Sequence, residues 1–529
     1  MLTSSCLSYN NLFSPSEQKT ITELPLNSGD NSSSTSITLK ESEMNCDKAI
    51  FSSEAKALAA NLASNGTSNQ PEFYTSEIFL EKSTLSPESV SGSSAVPGDN
   101  IVWGPDLIEG WNTEGYLETT DDGFKGSLSF TTKFGSKVGL SAGEPDEEGK
   151  PSQVLNLVMQ RKDGTMFTHT FQKTAADFEA SNIRITEFGD DFKVAYGPEA
   201  TKGTDKDDII IAMGGRVEAG EGDDVIIGLR NTTVFGGRGD DSIVMLENSK
   251  MAENLTRGPQ ILIAGDKGDD RIFVNNLSGV FSHISGSGSP IDDCTGDQDT
   301  IAVNRLGKDA SISNCANGVS QDIKIALLDG GMVDLYGSNS TYNLVLNEAT
   351  DTRKGWSHIT FIGENNTITA NVDKLRRGAI SIDSKNSTVD INVNYIGKEA
   401  GLAIGADGSI TNAHVGKLHG AVLVGGDGKN NIKIDSAQSA LLLASGGDNH
   451  FKIGNLSNSL IYLAGGASNI KADKASGNVA FDAGGGSSFS SELMNSFGDM
   501  YFGSKDKKKF EQWARQFISH YAGGVNYGI

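Results

Sequence analysis

The stretch "VEAGEGDDVIIGLRNTTVFGGRGDDSIVML", residues 217–246, carries Gly-x-Gly-Asp-Asp twice, each time followed by aliphatic residues. Adjacent carboxylates repel. Folding one such pair against a neighbouring coil that carries its own costs free energy unless a cation or hydrogen-bond donors compensate. The same frame recurs on both sides of this stretch, in the blocks "GTDKDDIII", "AGEGDDVII", "GGRGDDSIV", "GDKGDDRIF" and the weaker "TGDQDTIAV". An aspartate is followed two residues on by isoleucine each time: Asp208 by Ile210, Asp224 by Ile226, Asp241 by Ile243, Asp270 by Ile272 and Asp299 by Ile301. These aspartates are spaced 16, 17, 29 and 29 residues apart.

Glycine permits a tight turn with exposed carbonyls, the aspartate supplies a carboxylate, and the aliphatic residue points into a coil. The frame continues downstream with its charge removed. "GGDGKNNIKI" places Asn430 before Ile432, "ASGGDNHFKI" Asn449 before Phe451, "LAGGASNIKA" Ser468 before Ile470, and "DAGGGSSFS" Ser487 before Phe489. Repeats of this length signal a stacked architecture. The expected fold is all-β: a right-handed parallel β-solenoid over residues 201–490, with Ile210, Ile226 and Ile243 stacked inside adjacent coils. Residues 201–310 form its acidic, cation-binding coils and 311–490 coils that need no metal. Neutral Asn and Ser can hydrogen-bond along an edge where a column of aspartates needs a cation.

The blocks resemble the calcium-binding nonapeptide of bacterial RTX (hemolysin-type) proteins. The third matches the motif at every position and the second misses only its first glycine. The resemblance implies Ca²⁺ held by Asp207, Asp208, Gly220, Gly222, Asp223, Asp224, Gly237, Gly239, Asp240, Asp241, Gly268, Asp269 and Asp270. The motif marks one edge only, since the opposite edge carries "MGGRVE" and "GLRNTT", so few ions are expected. Asp270 and Asp299 are expected one or two coils further along, behind insertions.

The rest of the chain bounds the function. A length of 529 residues calls for several modules or an elongated array. The net charge of −24 and pI near 4.7 disfavour nucleic acid and anionic membranes as partners. With 63 Gly and 11 Pro, the composition suits a turn-rich β protein. Residues 1–100, rich in Ser and Thr, are expected to be disordered apart from a short helix at 52–64. Residues 101–200 alternate and turn at "KDG" and "GDD", which predicts a small antiparallel β domain. In residues 491–529 the segment "DKKKFEQWARQFISHYAGG" sets Phe510, Trp513, Phe517, Ile518 and Tyr521 on one helical face, either as a cap on the last coil or as a C-terminal export signal. Four cysteines are too few for a disulfide scaffold, although Cys294 and Cys315 are spaced to stack.

The N-terminus lacks a cleavable signal pattern and no apolar run is long enough to cross a bilayer. About a third of the first fifty residues are Ser or Thr and no acid precedes Glu17, which is similar to type III secretion signals. The expected function is a secreted bacterial calcium-binding solenoid acting as an effector or as an interaction or adhesion module. Its expected partners are calcium, export machinery, and a host protein or glycan. The alternative is a polysaccharide lyase or hydrolase on a β-helix scaffold, although HExxH and Walker A patterns are absent.

Overall fold

The computed structural model describes residues 112–503, apart from residues 121, 173–180, 189–190, 231, 249–260, 280–281, 288–294, 315, 351–356, 483–485 and 498–500. The expected disordered N-terminus, the helices at 52–64 and 506–523, and all four cysteines lie outside the described residues.

An antiparallel meander comes first, with strands Asn112–Thr120, Gly123–Thr131, Lys137–Ala142, Val154–Gln160 and Met166–Gln172 paired in sequence. Its alternation buries Leu128, Phe130, Val138, Leu140, Leu155, Leu157 and Met159 on one face. "KDG" is the turn between its last two strands, with Gly164 at φ 88°. The hairpin Ile183–Phe188 and Asp191–Tyr196 follows, and its first strand pairs antiparallel with Asp208–Ala212.

Asp208–Ala212 opens a parallel β-solenoid, as the repeat frame predicts. Each coil gives one strand to a long sheet and one to a facing sheet of fourteen strands. The column Ile210, Ile226, Ile243, Ile272, Ile301, Ile323 and Leu344 runs in register along the inner side of the long sheet. It continues through Ile391, Ile432, Phe451 and Ile470 to Phe489. Across the core stands the column Val217, Val234, Ile263, Ile284, Ile312, Val333 and Ile359. Both columns belong to one apolar cluster. Asp270 and Asp299 each lie one coil after their predecessor, so the longer intervals are loops within single coils and no coil is skipped.

The first strands of the long sheet, such as "DIIIA" and "VIIG", are buried at every position. Their outward residues Ile209, Ile211, Val225, Ile227, Val244, Leu246 and Phe273 share a core with the antiparallel meander. Strands covered on both faces lose their alternation in just this way. Later strands alternate, as in Lys429–Gln438. Near the end, the short helix Ser491–Phe497 buries Leu493 and Phe497 against the last coils, with Phe497 edge-on to Phe489 at 5.5 Å. This helix lies upstream of the segment whose spacing suggested a cap.

Leu344 is buried at the centre of the array. L344A is expected to cost about 2–5 kcal/mol. Because coils touch only their neighbours, faster amide exchange should centre on strands Ser320–Asp329 and Thr367–Leu375 and fade away from them. Uniform acceleration along the whole solenoid would contradict a nearest-neighbour core.

Candidate metal centre

The five aspartates of the repeat frame form one column on the edge of the long sheet, each one position before a paired strand residue. All five are buried. Asp208 N–H donates to Asp224 Oδ1 at 2.7 Å, Asp224 N–H to Asp241 Oδ1 at 2.8 Å, Asp241 N–H to Asp270 Oδ1 at 2.9 Å, and Asp270 N–H to Asp299 Oδ1 at 3.3 Å. Each inner carboxylate thus reaches back to the coil before it.

The first Asp of each pair does the reverse on the exposed side. Asp223 N–H donates to Asp207 Oδ1 at 2.9 Å, Asp240 N–H to Asp223 Oδ1 at 3.1 Å, and Asp269 N–H to Asp240 Oδ1 at 3.0 Å. The doubled aspartate is therefore a two-way clasp between coils. Lys133 of the meander caps the start of this outer row, with its Nζ 2.6 Å from Asp207 and 3.3 Å from Asp223.

Glycines let the turns stack backbone on backbone. Gly239 has φ 130°, and a Cβ there would overlap the Gly222 carbonyl of the preceding coil. A Cβ at Gly236 would collide with Asp241 Oδ2 and stand 2.6 Å from the Gly265 carbonyl oxygen. Gly265 and Gly286 meet Asp270 Oδ2 and Asp299 Oδ2 in the same manner. Gly220, Gly237 and Gly268 also take positive φ.

The second oxygen of each inner carboxylate separates the ends of the column from its middle. Asp208 Oδ2 accepts from Thr204 N–H at 2.6 Å and Thr204 O–H at 3.0 Å, while its Oδ1 meets the Thr186 hydroxyl. Asp299 Oδ2 accepts from Ser287 O–H at 2.7 Å and Gln321 Nε2 at 3.2 Å. Between these closed ends, Oδ2 of Asp224, Asp241 and Asp270 is buried with no hydrogen-bond partner. A buried carboxylate oxygen in this state carries a large desolvation cost.

Titration follows the same division. Burial, with the neighbouring carboxylates adding to it, pushes Asp224 up to about 8 and Asp241 up to about 10, and Asp270 well above the ordinary value. Asp299 is also raised by burial, but its hydroxyl and amide donors hold it to about 6.

The later coils fill the same position with uncharged side chains, of which Gln321 Oε1, Thr411 Oγ1, Asn430 Oδ1 and Ser468 Oγ are likewise buried without a hydrogen-bond partner. The column passes through Gln321, Tyr342, Ile368, Val389 and Thr411 to Asn430, Asn449 and Ser468. Asn430 Nδ2 donates to Asn449 Oδ1 and to the Gly426 carbonyl, both at 3.0 Å, and Asn449 Nδ2 donates to the Gly446 carbonyl. Asn449 Oδ1 faces Gly425 as Asp241 Oδ2 faces Gly236. An asparagine amide thus supplies positive hydrogens to the turn carbonyls, which a carboxylate cannot do.

The orphaned oxygens beside glycine turns fit a hard cation, which takes carboxylate and carbonyl oxygens. Among the described residues no three His, Cys, Asp or Glu side chains converge on one point. A cation here would therefore draw most of its ligands from main-chain carbonyls. All the residues expected at the site lie along this edge, but unequally: Asp224, Asp241 and Asp270 present open oxygens, Asp208 is closed by protein donors, and Asp207 and Asp223 are paired with Lys133. Spacing alone gave no sign of Thr186, Thr204, Ser287, Gln321 or Lys133; only Thr204, in "GTDKDD", lies close enough in sequence to have been considered. Comparisons with protein-family models, with curated proteins and with solved structures return no match.

The raised carboxyls fix a pH dependence for the metal-free protein. Their folded values lie above the unfolded value of about 4. The stability contributed by the neutral form is therefore complete below pH 4 and is lost as pH rises toward 8 to 10. Each neutral carboxyl should remove up to about 1.4 kcal/mol per pH unit over that range. In chelator, unfolding of the acidic coils should become easier between pH 5 and 8, and D241N should flatten the slope. A slope that rises with pH, or is equal in D241N, would contradict the assignment.

Proposed function

We propose that this chain is a calcium-dependent β-solenoid that works as an interaction module rather than a catalyst, outside the bacterium that makes it. The observation that carries the reading is the contrast along one column. Where Asn430 and Asn449 stand, their amide N–H groups reach the turn carbonyls and the one orphaned oxygen between them, Asn430 Oδ1, is neutral; where Asp224, Asp241 and Asp270 stand, a buried carboxylate oxygen is left without a donor and the side chain has no N–H to offer. A cation bound between the turns supplies the missing positive charge. Calcium suits the position because it accepts irregular sets of six to eight oxygens, carbonyls included.

The match of residues 236–244 to the RTX nonapeptide supports the same ion. Export follows as part of the proposal. At low cytosolic calcium the acidic column opposes folding of the first coils, and the higher calcium outside drives it, because binding free energy adds to folding free energy. The Ser/Thr-rich composition of the first fifty residues supports export, with delivery as an effector or display as an adhesion module.

Calcium at about a hundred times its dissociation constant should stabilise the acidic coils by about 3 kcal/mol per coupled site. Amide exchange should slow across residues 208–307 and stay unchanged across 388–482. D224N/D241N should remove the calcium response, leave the second half intact, and make the first half more stable in chelator than the wild type is. Equal protection of both halves, or no response in the wild type, would leave the aspartates as a hydrogen-bonded clasp with no metal role.

A further inference from the structure

The outward face of the long sheet changes character along the solenoid. Over the first coils it is apolar and covered by the meander. Beyond them it opens into ladders of amides. Asn343 Nδ2 donates to Asp322 at 2.7 Å, Asn392 to Asn371 at 3.1 Å, Asn394 to Asp373 at 3.0 Å, Asn412 to Asp390 at 2.9 Å, and Asn431 to Asn412 at 3.1 Å. Each rung uses one amide hydrogen, so every asparagine keeps a second N–H for an outside acceptor.

Next to the amides, the column His414, Lys433, Lys452 and Lys471 runs in register through four successive strands. Coils stack about 4.8 Å apart. Like charges directly opposite one another are destabilising, and here three ammonium groups are stacked, all exposed. Lys433 shares Asp435 with His414, at 3.3 and 3.0 Å. Among the described residues Lys452 and Lys471 make no ion pair. The two features meet in a shallow depression of about 330 Å³ lined by Asp390, Asn392, Asn412, His414, Asn431 and Lys433. A repulsive cationic row in a chain of net charge −24 is the reverse of what composition leads one to expect, and an anionic occupant would relieve it.

We propose that this strip, formed by strands Thr388–Ile396, Ile410–His419, Lys429–Gln438, Asp448–Ser457 and Ala467–Ser476, binds an extended acidic polysaccharide lying along the solenoid axis. The asparagine and aspartate ladders take its hydroxyls, and Lys452 and Lys471 take its carboxylates or sulfates. A nucleic-acid strand fits less well, because single strands are held by stacking on aromatic rings and these columns offer amides and ammonium groups. A flat anionic membrane would be pressed onto Asp435, Asp448 and Asp473, which flank the lysines, whereas a single narrow chain can follow the lysine row and the amides beside it. The inference rests on reading the chain as an interaction module; it does not require the acidic coils to bind calcium.

The test is isothermal titration of the full chain, with and without calcium, using hyaluronate, dextran sulfate, neutral dextran, a single-stranded DNA and phosphatidylserine vesicles. Wild type should bind hyaluronate or dextran sulfate, and which is tighter tells carboxylate from sulfate. Neutral dextran should bind at least tenfold more weakly. K452Q/K471Q should lose at least tenfold in affinity for the acidic polysaccharide while keeping the wild-type amide-exchange pattern, calcium response included. Unchanged affinity in the variant, no polysaccharide binding by the wild type, or tighter binding of DNA or vesicles would overturn the proposal. Retained hyaluronate binding in a wild type that ignores calcium would sink the calcium reading and leave this one standing.

Discussion

A row of buried carboxylates one coil apart is the interaction on which the first half of this molecule depends. At that spacing, unscreened charges in a low-dielectric edge repel strongly enough to prevent stacking. Each inner aspartate after the first offsets part of the cost by accepting the N–H of the aspartate one coil earlier. That bond uses one oxygen and leaves the other to be dealt with by a donor, a proton or a cation. The three remedies differ in when they are present, since donors are permanent, protons depend on pH, and a cation depends on its concentration. A column that relies on the last two is conditional in a way that an apolar core is not.

The fold confines the condition to one stretch. Thr186 and Thr204 close the column at its start, and Ser287 with Gln321 closes it at Asp299. Beyond Gln321 the same position is filled by apolar, hydroxyl or amide side chains, and it carries no further charge. The solenoid is thus one continuous apolar core with two kinds of edge. The meander adds to the acidic half twice: it buries the outward isoleucines and valines of the first strands, and it lends Lys133 to the outer aspartates.

Much of the fold was legible because the aspartate and the isoleucine two residues on are locked in one strand, so their register survives insertions of any length in the loops. Asn430 and Asn449 could be placed in the aspartate column for the same reason. What could not be read were contacts made by elements far away in sequence. Thr186 sits on an antiparallel hairpin and Lys133 on a turn of the meander, and neither belongs to the repeat. Ile368 and Val389 occupy the column without any motif to mark them, since an apolar residue there needs no partner, and Tyr342 finds its own in the Gly337 N–H. The lysine row was hidden by composition: a net charge sums over the whole surface and says nothing about which charges the coil spacing brings together.

The most direct test of the account is an anomalous-scattering experiment on crystals in which calcium has been replaced by terbium. The account predicts density between successive turns, within bonding distance of Asp224, Asp241 or Asp270 Oδ2 and the adjoining glycine carbonyls, and none along Thr411, Asn430 and Asn449. Density absent from the aspartate column at saturating metal, or present equally along the asparagines, would contradict the claim that the carboxylates wait for a cation.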